Sequence, residues 1–166
     1  MKMGKKILMI LLCSVFYCTG IFATQISFQI LQNDQSCDEI NDKSYDIETY
    51  VLDGFFERSF IVTTSQSCVF ESEEESSSLW KSGLGEAFEG SSDYFVQIEV
   101  FYKSDENARK PVAMIDKISW KLANVRTGLI MDSQTVTDII KKENGSEDLG
   151  AISLNLVKNI NKSIKA

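Results

Sequence analysis

The sequence predicts an α/β protein built on a mixed five-stranded sheet with helices on both faces. Three observations carry that expectation. Between residues 93 and 136, apolar and polar residues alternate in three consecutive runs, the two-residue period of strands. Around residues 45–58, 80–88 and 146–164 the period changes to that of a helix. The segments follow one another as β-α-β-α-β-β-β-α. Right-handed β-α-β crossovers make strands one, two and three parallel, and the tight connections that follow set strand four antiparallel to three and five.

Ile26, Phe28 and Ile30 alternate with Ser27 and Gln29, which makes residues 25–31 strand one. Asn41, Asp42 and Ser44 offer N-cap oxygens for a first helix. Its core stripe is Ile47, Val51 and Phe55, flanked by Leu52 and Phe56, and it ends near Arg58. Residues 60–64 are aromatic and β-branched, hence strand two. Residues 65–78 hold Glu71, Glu73, Glu74 and Glu75 among serines, which predicts a solvated loop. A calcium or cationic-partner site is the sharper alternative there, but for calcium the run has no turn glycine to shape six converging oxygens. Trp80, Leu84, Ala87 and Phe88 share a face of a second helix, kept short by Gly83, Gly85 and Gly90.

Strand three presents Tyr94, Val96, Ile98, Val100 and Tyr102 on one side. Strand four presents Met114, Ile118, Trp120 and Leu122, which places Trp120 in the core. Gly128 suits the positive φ of the short turn into strand five, residues 129–136. Ser146 is placed to cap a last helix with Leu149, Ile152, Leu156, Ile160 and Ile164 as its stripe, widened by Ser153 and Val157.

The chain opens like an export signal. Lys2, Lys5 and Lys6 precede an apolar run, Ile7 to Cys18, too short for a comfortable membrane span. Cleavage after Ala23 is favoured over lipid attachment at Cys18, because Phe16 and Tyr17 stand where lipoprotein signals carry small residues. The expected organisation is a signal peptide, residues 1–23, and a single α/β domain, residues 24–166. Removing the signal takes away three lysines and shifts the formal charge from −7 to −10, with 14 basic residues facing 24 acidic ones. So acidic a chain repels phosphate backbones and anionic headgroups, which argues against nucleic-acid partners. No later run is long enough to span a bilayer. An exported chain left with Cys37 and Cys68 is expected to pair them, since both follow the C-terminal ends of adjacent parallel strands.

There is no histidine, so Ser-His-Asp and Cys-His pairs and histidine-based metal sites are excluded. No phosphate-binding glycine loop is present, and no cofactor is expected. Asp93, Asp116 and Asp132 leave one catalytic alternative, a small secreted hydrolase using paired carboxylates. Tyr94, Tyr102 and Trp120 are core in the simpler reading and an aromatic platform for sugar or peptide in the other.

Two segments carry a resemblance. Ala87-Phe88-Glu89-Gly90-Ser91-Ser92-Asp93-Tyr94-Phe95-Val96 resembles a helix-alanine, Gly-Ala-Asp-Tyr, strand pattern, and residues 118–130 resemble a strand, Thr-Gly turn, strand segment. Both are similar to a group that includes the N-terminal domain of the Tol–Pal translocation protein, the penicillin-binding-protein activator lipoproteins and the periplasmic part of the curli secretion channel. The resemblance implies an anticodon-binding-like sandwich, strand order 2-1-3-4-5 with strand four antiparallel. It also implies an exported, non-catalytic module, periplasmic or secreted, that binds other proteins of the bacterial envelope. It assigns no binding residue.

Overall fold

The computed structural model describes residues 23–34, 37, 39–104 and 113–166. The expected signal segment and most of the loop before Ala113 lie outside the described residues. The elements run β1 (Gln25–Asn33), α1 (Asp42–Phe56), β2 (Ile61–Thr64), β3 (Cys68–Val69), α2 (Glu73–Glu89), β4 (Tyr94–Ser104), β5 (Ala113–Asn124), β6 (Leu129–Val136) and α3 (Leu149–Ile164).

The sheet is mixed and has the order β2-β1-β4-β5-β6, with β3 also pairing β1. That path corresponds to the expected order 2-1-3-4-5, and the antiparallel strand, β5, is the expected one. The sheet has six strands rather than five. The extra strand comes from the supposed acidic loop: Cys68 pairs with Leu31 and Val69 with Gln32, continuing the edge that β2 begins.

Alternation on the strands divides the side chains between two cores. Ile26, Phe28, Ile30, Val96, Ile98, Val100, Ile118, Trp120 and Leu122 face α1 and α3, which bring Ile47, Val51, Phe55, Ile152, Leu156, Val157 and Ile160. The opposite face packs Phe95 against Ala87 of α2 and Val125, with Trp80 and Leu84 at the margin. Helices therefore cover both faces, unequally.

Five local expectations are corrected. α2 begins at Glu73 because Ser72 caps it, accepting the Glu75 N–H, while Glu75 accepts the N–H of Glu71. Serine followed three residues on by glutamate is a capping box, and acids in the first turn also complement the helix dipole. The helix is long, 17 residues, despite its glycines. On β5, Tyr102 pairs with Ile115 and Phe101 with Lys117, so Asp116 is the extra residue of a bulge. The bulge reverses side-chain parity, and Ile115, not Met114, joins the core with Trp120. Asp148 rather than Ser146 caps α3, accepting the Ala151 N–H at 3.1 Å. Leu52 and Phe56, expected to border the core stripe of α1, stand in solvent. Gly128 has φ +67° and its N–H closes the β5–β6 turn onto the Asn124 carbonyl at 2.9 Å, as the turn requires.

Candidate functional site

The three carboxylates considered for catalysis do not converge. Asp93 joins three elements: its Oδ2 accepts the Gln25 N–H at 2.9 Å and its carbonyl accepts the Val125 N–H at 3.0 Å. Asp116, on the bulge, pairs with Lys103 Nζ at 2.7 Å. Asp132 accepts the Ser163 hydroxyl of α3 at 2.5 Å. Asp93 precedes the end of β4 that pairs Tyr94 with Asn124, whereas Asp116 lies near the other end, where Ser104 meets Ala113. Asp116 sits opposite Phe101 and Tyr102, so about eight residues of strand separate it from Asp93 by about 27 Å, against the roughly 5–10 Å that glycosidase carboxylates require. Tyr102 and Trp120 are buried in the larger core and Tyr94 packs against it half-buried, so the three form no exposed platform.

The two segments that carry the resemblance meet at one end of the sheet. Phe88, Ser91, Ser92, Asp93 and Tyr94 line one side of an open cleft of about 750 Å³, and Asn124, Val125, Arg126 and Thr127 line the other, with Thr24 between. The walls are fixed by local bonds. The Ser92 N–H donates to the Ala87 carbonyl at 2.9 Å as α2 ends, and Gln25 Nε2 donates to the Gly90 carbonyl at 3.0 Å. Arg126 is exposed and in no ion pair among the described residues. A guanidinium, hydroxyls, an exposed phenyl ring and the Asp93 carboxylate, whose Oδ2 is held by the Gln25 N–H, can hold a polar ligand.

A second, smaller groove of about 320 Å³ lies beside the start of α2, lined by Phe70, Glu73, Ser76, Ser77, Glu99, Phe101, Lys117 and Lys121. Glu99 is buried and accepts the Ser76 hydroxyl, with Lys121 Nζ 3.4 Å away. Lys117 Nζ stands 4.3 Å from the centre of the Phe101 ring and Lys121 Nζ 5.8 Å from that of Trp80. Sequence reasoning passed over this set. Its signal was slight: two lysines at alternate positions on the polar side of β5, opposite a glutamate of β4. The acids of residues 71–75 form no metal cage, and no group of three or more acids or cysteines among the described residues could hold a metal ion.

At the opposite end of the sheet a buried polar network ties α1 to β1 and β4. Gln32 Oε1 accepts from the Ser44 hydroxyl at 2.9 Å and from the Asn41 N–H at 2.8 Å, and the Tyr102 hydroxyl lies 2.9 Å from Ser44. Burial pushes the Tyr102 hydroxyl up to about 12; the Ser44 bond opposes this, and Glu147, Asp34 and Asp46 add to it. Lys43 pairs with Glu147 at 2.6 Å, and Glu147 also accepts the Ile115 N–H at 2.6 Å beside the bulge. Cys37 is exposed and Cys68 half-buried, and no bond joins them in the structure. Burial, then the charges of Glu86 and Glu75, raises the Cys68 thiol.

No helix among the described residues is long and apolar enough to cross a membrane. Among solved structures, the chain is similar to a PelC dodecamer from Paraburkholderia phytofirmans, with 13% identity, a TM-score of 0.47, and 87% of this chain and 89% of that one covered. It is also similar to TolB from Acinetobacter baumannii, at 12% identity and TM-score 0.43, covering 86% of this chain and 28% of that one. The LpoB C-terminal domain from Salmonella enterica aligns at 13% identity and TM-score 0.39, covering 74% and 88%. No curated protein matches the chain. Residues 25–165 match the model of a family described as "Uncharacterised protein", and the chain belongs to that family.

Proposed function

We propose that this protein is exported, loses residues 1–23, and serves in the bacterial envelope as a non-catalytic protein-interaction or accessory domain formed by residues 24–166. The observation that carries this reading is the fate of its acids. Asp93, Asp116 and Asp132 are each engaged in a bond that holds elements together, and Asp93 and Asp116 lie at opposite ends of the sheet. What remains on the surface suits contact rather than chemistry: large apolar side chains on the edge strand β6 (Leu129, Ile130, Met131) and at the rim of the cleft (Phe88). The basic, then apolar opening of the chain supports export.

Crosslinking in intact envelopes, followed by affinity purification, tests the reading. Discrete protein adducts that recur across crosslinkers are expected, and the mature chain should begin at Thr24 without lipid. Glycan or ester hydrolysis by the purified protein, abolished by Asp93→Asn, Asp116→Asn or Asp132→Asn, would replace the binding module with the hydrolase. A diacylglyceryl group on Cys18 as the N-terminus would overturn the soluble form and tether the domain to a membrane.

A further inference from the structure

Given a protein-interaction role, on which this inference rests, we propose that the outer face of α1 docks a basic amphipathic helix of a partner protein. Tyr45, Thr49, Leu52 and Phe56 recur at spacings of four, three and four, which sets them in one row along the helix. The row points away from the core residues Ile47, Val51 and Phe55: Tyr45 is 51% exposed, Leu52 38% and Phe56 72%. Beside it runs a second row, Asp42, Asp46, Asp53 and Glu57, also exposed. None of these four acids is in an ion pair among the described residues. The two cations next to the row in sequence are engaged elsewhere: Lys43 pairs with Glu147 at 2.6 Å, and Arg58 donates to the Gly54 carbonyl at 2.6 Å.

The pairing of rows defines the occupant. From Tyr45 to Phe56 the apolar row is about 16 Å long, three turns of a facing helix. A helix face has no free backbone donors or acceptors, so an added strand would find nothing to bond, whereas side chains at helical spacing interdigitate with it. The acidic row sets the charge. A second copy would bring its own acids against these, and nucleic acid or anionic lipid would be repelled by a chain of net charge −7. Asp53 and Glu57 also lie at the C-terminal end of α1, where the helix dipole disfavours negative charge and a visiting lysine or arginine is favoured twice over.

The test uses the full exported chain and a fluorescent, 18-residue designed helix carrying leucines at three- and four-residue spacing with lysines beside them, and a twin with every lysine replaced by glutamate. The basic peptide should bind saturably, at least about tenfold tighter than its twin. Phe56→Asp makes the chain more acidic, yet it should weaken that binding by about tenfold, as loss of an apolar anchor does. Asp46→Lys with Asp53→Lys should invert the preference between the twins. All these positions are exposed, and unchanged thermal unfolding confirms that each variant folds. Equal binding of the twins, no binding of the basic one, tighter binding by Phe56→Asp, or no inversion overturns the proposal. So does self-association in sedimentation that Phe56→Asp abolishes. If envelope adducts persist while the peptide test fails, the interaction role stands and only the α1 site falls.

Discussion

Gly83 of α2 rests directly on the ring of Phe95: a Cβ added at Gly83 would stand 2.5 Å from Phe95 Cζ and 3.2 Å from Gln29 Oε1. Phe95 is wholly buried and has no room to swing aside. Gly83→Ala gains about 1 kcal/mol of helix propensity but incurs about 1–3 kcal/mol of overpacking, so a net loss of up to about 2 kcal/mol is expected in urea unfolding. Gly85, two residues on, meets nothing within 4 Å, and Gly85→Ala should stabilise by about 1 kcal/mol. Equal effects at the two positions would show that α2 does not sit so closely on the sheet.

Trp120 is 1% exposed in the centre of the larger core. Trp120→Ala should cost about 3–5 kcal/mol, the range for truncating a buried aromatic. In a Trp80→Phe background the fluorescence that remains belongs to Trp120, and iodide should barely quench it.

Tyr102 gives the fold an alkaline limit. Its hydroxyl titrates near 12 when folded and near 10 when unfolded, so the unfolded chain releases the proton first. The stabilisation is complete below pH 10 and is lost as pH rises to 12, an effect of roughly 2–3 kcal/mol. Tyr102→Phe should flatten that part of the stability profile, and absorbance titration should show one tyrosine ionising later than the rest.

We propose that Cys37 and Cys68 pair in the exported protein. The loop closed would be about 30 residues, worth about 3–4 kcal/mol on the chain-entropy model, and Cys68→Ser should lose that much. Thiol titration of the denatured, unreduced mature chain should find no free thiol; two would end the claim. After reduction, Cys68 should alkylate more slowly than Cys37 at pH 8, because its raised thiol leaves less thiolate.

The strand meander was legible because each of its faces is uniform: Val96, Ile98 and Val100 look into one core over an unbroken run. α3 was legible for the same reason, through Ile152, Leu156 and Ile160. Where one residue type has two uses, the pattern failed. Glu73 to Glu75 have the composition of a solvated loop, yet behind Ser72 they are a helix's first turn. Gly83 looked like a weak point of α2 and is instead the place where helix and sheet come closest. The bulge at Asp116 exchanged Met114 for Ile115, a one-residue slip that alternation cannot anticipate. Leu52 and Phe56 are apolar at helical spacing, and only the packing of α1 on the sheet shows that they point outward.

The unequal cores imply that the molecule does not come apart all at once. α2 is held by a small cluster around Ala87, Phe95 and Val125, while beneath it both amide atoms of Gln97 are buried without a hydrogen-bond partner. Lifting α2 exposes little apolar surface and lets water reach those atoms, so the excursion costs far less than global unfolding. Amides of α2 should therefore exchange with solvent well before those of α1 and α3, and the layer around Glu99, Lys117 and Lys121 becomes transiently accessible while the other face of the sheet stays closed.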